Sequence, residues 1–261
     1  MSTRIIAPSQ SDLEQVFEAK YAAAGPHDWG PGLRRMFRYF NPDEWYEAVV
    51  EGQVTPHTRW LDIGCGRDLF PSNRGLAARL SSECSLLVGV DQDDTVHENP
   101  FLHNSVNSSI ETYEGEAEFD LITLRMVAEH IADPESAIPA IAKLAQSGGR
   151  IIIYTVNKYS PVPLVTNLIP FRARHAIKKT LWGTEEKDTF PTAYLLNSRR
   201  ELKRHMSNSG LKEELFLRLD DCRSFTRWRP LLFSELFIRS LLHSVRIPYP
   251  EYCLLGVYQK Q

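Results

Sequence analysis

Cysteine is scarce in this chain and widely spaced. Cys65, Cys84, Cys222 and Cys253 are the only four, and no two form a C-x-x-C pair. That pattern argues against a disulfide framework or a structural zinc site and suits free thiols in a reducing compartment. Strong charge of one sign is also missing: 30 lysines and arginines face 33 acids, for a formal net charge of -3. Nucleic-acid binding usually leaves a basic footprint, so no nucleic-acid partner is expected. No apolar run reaches the ~18 residues that read as a membrane span. The N-terminal Met-Ser-Thr-Arg-Ile-Ile-Ala-Pro lacks the apolar core of a secretory signal. The expectation is a cytoplasmic protein. Histidines and carboxylates form no recognisable metal-ligand set, so no metal is expected. Repeats and low-complexity tracts are absent, and nothing in the sequence bears on oligomeric state.

What is present is ordinary globular material, with 43% hydrophobic and 24% charged residues, enough to build a core. Residues 1–55 read as an N-terminal helical lid. Ser11-Asp12-Leu13-Glu14 has capping-box spacing, predicting a helix to about Ala24. Gly25, Pro26, Gly30, Pro31 and Gly32 are expected to break regular structure. Asn41-Pro42-Asp43-Glu44 is a second helix start, with a cap, a proline at the first position and acids toward the positive helix end.

Residues 56–261 read as one domain. Apolar strands are expected at Arg59–Ile63, Ser85–Val90, Leu121–Leu124 and Arg150–Val156. Helices are expected at Leu76–Leu80 and Pro134–Ala145, the latter stopped by Gly148-Gly149. This alternation predicts a doubly wound, mostly parallel α/β sheet. Asn197-Ser198 caps a helix ending at Gly210, and Leu215–Leu219 and Tyr252–Tyr258 are late strands. Segments 157–213 and 227–245 read as helical cap insertions. The basic-apolar stretch 164–182 either caps the site with its cations in water or lies on a membrane. The capping reading is preferred, but the apolar Leu231–Leu242, with Arg239 and His243 on its far side, keeps the other open.

The chemistry concentrates in Trp60-Leu61-Asp62-Ile63-Gly64-Cys65-Gly66. A strand that stops at Asp62 and turns through two glycines brings bare backbone against a ligand. A dinucleotide turn, G-x-G-x-x-G, would have a third glycine where this chain has Leu69. A carboxylate so close to the turn repels pyrophosphate and suits a cationic amino-acid moiety. The second strand ends in Gly89-Val90-Asp91, where Rossmann-like folds place a ribose-binding acid. S-adenosylmethionine (SAM) therefore fits better than a nicotinamide dinucleotide.

These motifs resemble the class I, Rossmann-like SAM-dependent methyltransferases over about residues 40–215. WLDIGCG (60–66) is similar to their glycine-rich first motif and VGVD (88–91) to the second-strand acid motif. FDLITLRMVAEHI (119–131) is similar to the fourth-strand segment, and SGGRIIIYTVN (147–157) to the fifth strand. The methyltransferase type 11 set, with its ubiquinone/menaquinone-type enzymes, is the group the chain resembles most. DTFPTAYLLNSRRELKRHMSNSGL (188–211) is similar to its bacterial members. The resemblance implies a sheet whose last strand is antiparallel. It implies that Asp62, Gly64, Cys65 and Gly66 hold the methionyl end, Asp91 the ribose, and Gln92 the adenine side. Ser108 and Ser109 fall where the family often carries an acid near adenine. Arg125 and Met126 fall where it lines the cofactor and acceptor pocket.

His130 follows Glu129 near the expected methyl-transfer point. It is the candidate general base, because neutral imidazole takes a proton at physiological pH; the alternative is a histidine packed behind the fourth strand. Trp29, Phe37, Tyr39, Phe40 and Tyr159 read either as acceptor-pocket aromatics or as packing. The expected function is methyl transfer from SAM to a small-molecule or lipid-like acceptor, leaving S-adenosylhomocysteine. A NAD-dependent oxidoreductase and a non-catalytic SAM-binding protein are the alternatives.

Overall fold

The computed structural model describes residues 7–22, 29–115, 118–160, 192–223, 225–226 and 228–261. Three helices come first: α1 (Gln10–Lys20), α2 (Trp29–Met36) and α3 (Pro42–Glu51). Then follow β1 (Arg59–Ile63), α4 (Arg74–Glu83), β2 (Leu86–Asp91), a 3-10 turn at Asp94–Glu98, β3 (Asn104–Asn107), β4 (Phe119–Arg125), α5 (Pro134–Leu144) and β5 (Ala145–Val156). The chain closes with α6 (Arg199–Asn208), β6 (Leu211–Asp220), α7 (Arg229–Ser244) and β7 (Glu251–Lys260). The stretch 164–182 lies outside the described residues. No described helix is long and apolar enough to cross a membrane.

The strands form one sheet in the order β3-β2-β1-β4-β5-β7-β6. Pairings from β3 to β5 are parallel, and β7 runs antiparallel to both β5 and β6. Side chains alternate across a strand, and here both faces are buried. Leu61, Val88, Ile122, Ile151 and Ile153 pack on one face under α5 and α6. Trp60, Leu87, Leu121, Ile152 and Tyr154 pack on the other under α3 and α4. A strand buried on both faces needs an unbroken apolar run, which explains Ile151-Ile152-Ile153. The order reverses between β1 and β4, and the crevice of a doubly wound sheet opens at that switch point.

Several local expectations are corrected. The capping box of α1 uses Ser9 and Asp12, not Ser11 and Glu14, and the helix stops at Lys20. Pro31 lies inside α2 with Gly30 and Gly32; in a first turn its missing N–H costs nothing, because that donor has no intrahelical partner. Gly148-Gly149 does not stop α5. That helix ends at Leu144, and both glycines lie within β5, Gly148 at φ +80°. The polar strand β3 carries no apolar alternation by which to foresee it. In α7, Arg239 lies on the side away from the exposed apolar residues, as expected. Arg239 turns inward, its Nε 2.5 Å from Asp220 Oδ2 and its guanidinium over the Tyr39 ring. Phe233, Phe237 and Leu241 face outward.

Asp43 and Glu44 lie in the first turn of α3, as expected, and both are buried. Glu44 is fully buried. It accepts from the Asn41 N–H at 2.5 Å, from Arg34 at 3.0 Å and from the Tyr21 hydroxyl at 3.1 Å, with Lys20 Nζ 3.4 Å away. Arg34 also lies over the rings of Phe17 and Tyr21. One carboxylate thus ties α1 and α2 to the start of α3. Glu44→Ala is expected to destabilise the protein by about 3–5 kcal/mol, because Arg34 would stay buried without its partner. Urea unfolding measures this, and a loss below ~1 kcal/mol would show that Glu44 does not anchor these helices.

Candidate active site

Asp62 pairs in register with Gly89 of β2 and Thr123 of β4. It is buried at the carboxyl end of β1, on the same face as Trp60. The Trp60 indole N–H donates to Thr123 Oγ1 at 2.7 Å, and the Thr123 hydroxyl donates to Asp62 Oδ1 at 2.5 Å. Burial pushes the Asp62 carboxyl up to about 7, against the lowering effect of the Thr123 hydroxyl and with nearby Asp91 adding to the rise. Thr123 was missed in the sequence. Its signal is a lone hydroxyl in an otherwise apolar strand, meaningful only once β1 and β4 are known to be neighbours.

Beyond Asp62 the chain turns through Gly64 at φ +66° and Gly66 at φ +48°, a region that favours glycine. The Asp91 carboxylate braces the turn. Its Oδ2 accepts from the Gly66 N–H at 2.8 Å, and its Oδ1 from the Asp93 N–H at 2.9 Å. Cys65 tucks beneath the turn, where a Cβ on Gly89 would lie 2.6 Å from its Sγ. Burial pushes the Cys65 thiol well up, so it is not a thiolate nucleophile.

A cavity of about 1240 Å³ opens over this turn, and Asp62, Gly64, Cys65, Gly66, Asp91, Gln92, Ser108, Arg125, Met126 and His130 all line it. Ser109 does not; its hydroxyl is engaged with Thr112 at 3.0 Å. The wall also includes Asp68, Asp93, Glu111 and Asp133, against Arg67 and Arg125 as its cations. Arg67 is paired with Glu98, and Arg125 lies 3.4 Å from Asp43. The excess of carboxylates disfavours a pyrophosphate and favours a cationic ligand. The bare glycine turn and the Asp91 carboxylate, with lone pairs to spare, suit the amino-acid and ribose parts of SAM.

Met126 ends β4 with φ +54°, its N–H held by the Tyr154 carbonyl at 2.7 Å. A non-glycine residue in this conformation costs about 1–3 kcal/mol and marks sites where shape matters more than ease. Glu129 turns away from the cavity into the core, where the Thr155 hydroxyl donates to it at 2.7 Å. The Glu129 carbonyl accepts from Ala193 N–H at 2.8 Å, drawing Thr192 and Ala193 into the cavity wall. Behind Arg125, Asp43 takes Arg223 at 2.6 Å and the Tyr154 hydroxyl at 3.2 Å. Burial pushes the Asp43 carboxyl up, but Arg223 and Arg125 outweigh it and hold it below the usual range.

The candidate pocket aromatics serve packing instead. Phe40 meets Phe17, Phe37 meets Phe233, and the Tyr39 hydroxyl accepts from Cys222 N–H at 2.7 Å. Tyr159 is exposed and does not line the cavity, and the Trp29 side chain lies outside what is described.

A Cβ on Gly64 would fall 2.2 Å from Val127 Cγ2. Gly64→Ala therefore combines a left-handed backbone cost of about 1–2 kcal/mol with overpacking of about 1–3 kcal/mol. Adding Val127→Ala is expected to relieve only the second part. Thermal unfolding of the single and double variants checks this; a Gly64→Ala protein as stable as the parent would refute it.

The chain matches a family model described as a methyltransferase domain over residues 21–214. A ubiquinone biosynthesis O-methyltransferase from Coxiella burnetii is 27% identical over 164 residues, covering 59% of this chain and 67% of that protein. A SAM-dependent methyltransferase structure from Methanosarcina mazei superposes with a TM-score of 0.50 at 12% identity, over 81% of this chain and 96% of the other. Geranyl diphosphate C-methyltransferase from Streptomyces coelicolor A3(2) also reaches 0.50, at 14% identity over 98% of this chain and all of the other. At such identities these two likenesses concern the fold. Taken with the family match, the glycine turn and the sheet order, they lead to one assignment: the chain belongs to the methyltransferase domain family, as a Rossmann-like enzyme whose methyl donor is S-adenosylmethionine.

Proposed function

We propose that the chain methylates a hydroxyl oxygen of a small, partly apolar acceptor by direct in-line displacement. The observation that carries the reading is the cavity over the glycine turn. It exceeds the ~1,000 Å³ upper span of ordinary small-molecule pockets, leaving room for an acceptor beside the donor. Ile110, Met126, Val127 and Ile131 give its wall an apolar part. The relatives named ubiquinone biosynthesis O-methyltransferases support oxygen as the methylated atom. Four buried free cysteines support a reducing cytoplasm as the working compartment.

Asp62 would hold the ammonium group, and Gly64, Cys65 and Gly66 would cradle the methionyl chain. Asp91 would accept from the ribose hydroxyls, while Gln92 and Ser108 would face adenine. SAM brings an activated sulfonium methyl, so the chain's main task is alignment. Holding two reactants in line can lower a barrier by about 7–11 kcal/mol. Arg125 and Met126 would shape the acceptor side. His130 would take the hydroxyl proton, a contribution of about 10²–10⁴-fold.

The elevated Asp62 acidity gives this reading a pH signature. Below about 7 the carboxyl is protonated and attracts a cation weakly. Affinity for S-adenosylhomocysteine, whose amino group stays charged, is expected to rise toward pH 7, by up to about tenfold per pH unit, then level off. Asp62→Asn should bind more weakly and flatten the profile. Asp91→Ala should weaken binding at least about tenfold, through a lost charge-assisted contact and a loosened turn. Titration calorimetry from pH 5.5 to 8.5 reads all three. No binding at any pH would overturn the cofactor site, and a flat wild-type profile would remove Asp62 from ligand contact. His130→Ala should lower turnover of a hydroxyl acceptor without weakening cofactor binding.

A further inference from the structure

The exposed face of α7 has a composition that solvent alone does not account for. Successive helical residues turn by about 100°. The inward arc carries Leu232, Glu235 and Leu236, all buried, with Arg239 turned toward Asp220. The outward arc carries Leu231, Phe233, Phe237, Ile238 and Leu241, and Phe237 is 52% exposed. Between them lie only Pro230, Ser234, Ser240 and Ser244. A solvated helix face ordinarily carries charges. This one carries none over four turns, and exposed Val245 and Ile247 extend it past the helix end.

Cations sit at both ends of the face. Arg229 opens the helix, next to Trp228, which is 66% exposed. Past the other end lies a 390 Å³ cleft whose wall includes Arg218, Arg239, His243 and Arg246 against Asp220 and Glu251. Arg246 is exposed and has no ion-pair partner among the described residues. The one acid of α7, Glu235, is buried. An apolar strip with an indole at one end and cations at both matches the layering of a lipid interface. A second copy of the same surface would bring only cations to meet cations.

We propose that the outward face of α7 docks on a bilayer surface containing anionic phospholipids. Phe237, Ile238 and Leu241 enter the acyl boundary, and Arg229 and Arg246 meet the phosphates. The docking does not depend on the identity of the acceptor.

Cosedimentation of the full chain with vesicles tests it, using phosphatidylcholine alone and mixed equally with phosphatidylglycerol. The wild-type protein should pellet with the mixed vesicles and much less with the neutral ones. Phe237→Ser combined with Leu241→Ser should reduce binding at least about tenfold. Both positions are exposed, so thermal unfolding should stay unchanged. Arg246→Glu should lose the preference for anionic lipid while keeping residual binding. Protein left in the supernatant with both vesicle types would overturn the proposal. So would sedimentation velocity showing a dimer that the double variant splits, since the face would then join two copies. S-adenosylhomocysteine binding by the double variant, read separately, keeps this outcome distinct from failure of the methyl-transfer reading.

Discussion

One buried carboxylate constrains the centre of this molecule. Asp62 lies between two strands at the end of the sheet, where burial opposes its charge and a single threonine hydroxyl offsets part of that cost. The hydroxyl is oriented because Trp60 donates to it from two residues earlier on β1. For this arrangement β1 must lie beside β4, in the register that sets Asp62 opposite Thr123. That adjacency is also the reversal in strand order that opens the cavity. The same contact fixes the topology and aims the acid.

The neighbouring features build outward from it. Asp91 secures the glycine turn from the next strand, so the ligand-facing backbone is held from two sides. Met126 holds a costly conformation that bends the chain away from β4. Glu129 is withdrawn into the core, and its carbonyl holds Ala193 in the cavity wall. Asp43 joins Arg125 at the cavity to Arg223 beyond β6, tying α3 to the cavity wall.

Much of this was legible in the sequence where local physics decides. β1 matched its apolar run and Asn41-Pro42 marked the start of α3, because strand burial and helix starts are written in neighbouring residues. Asp62, Asp91 and the glycines stood out because few side chains tolerate that turn. Long-range features were not legible. Thr123 gains meaning only from strand register, and β3 is too polar to signal a strand. Asp43 and Glu44 were legible as first-turn acids of α3, but their burial was not, because their partners, Arg223 and Arg34, are placed by tertiary packing. The cap of α1 was placed two residues too late, at Ser11 instead of Ser9, because capping-box spacing alone does not fix which serine starts the helix. The two sides of α7 were legible from periodicity, but not which of them meets the protein.

The reversed direction of β7 carries a further consequence. β6 runs with the parallel strands and ends at Asp220; β7 runs against them and begins at Glu251. Both ends of the connection bearing α7 therefore lie on the rim where β1, β2 and β4 deliver their cavity residues. An all-parallel sheet would have started its last strand on the opposite rim. A single strand reversal gives this molecule a front: its cavity mouth and both ends of the connection bearing α7 share one rim. A molecule held by that helix would search for its acceptor along a plane instead of through a volume.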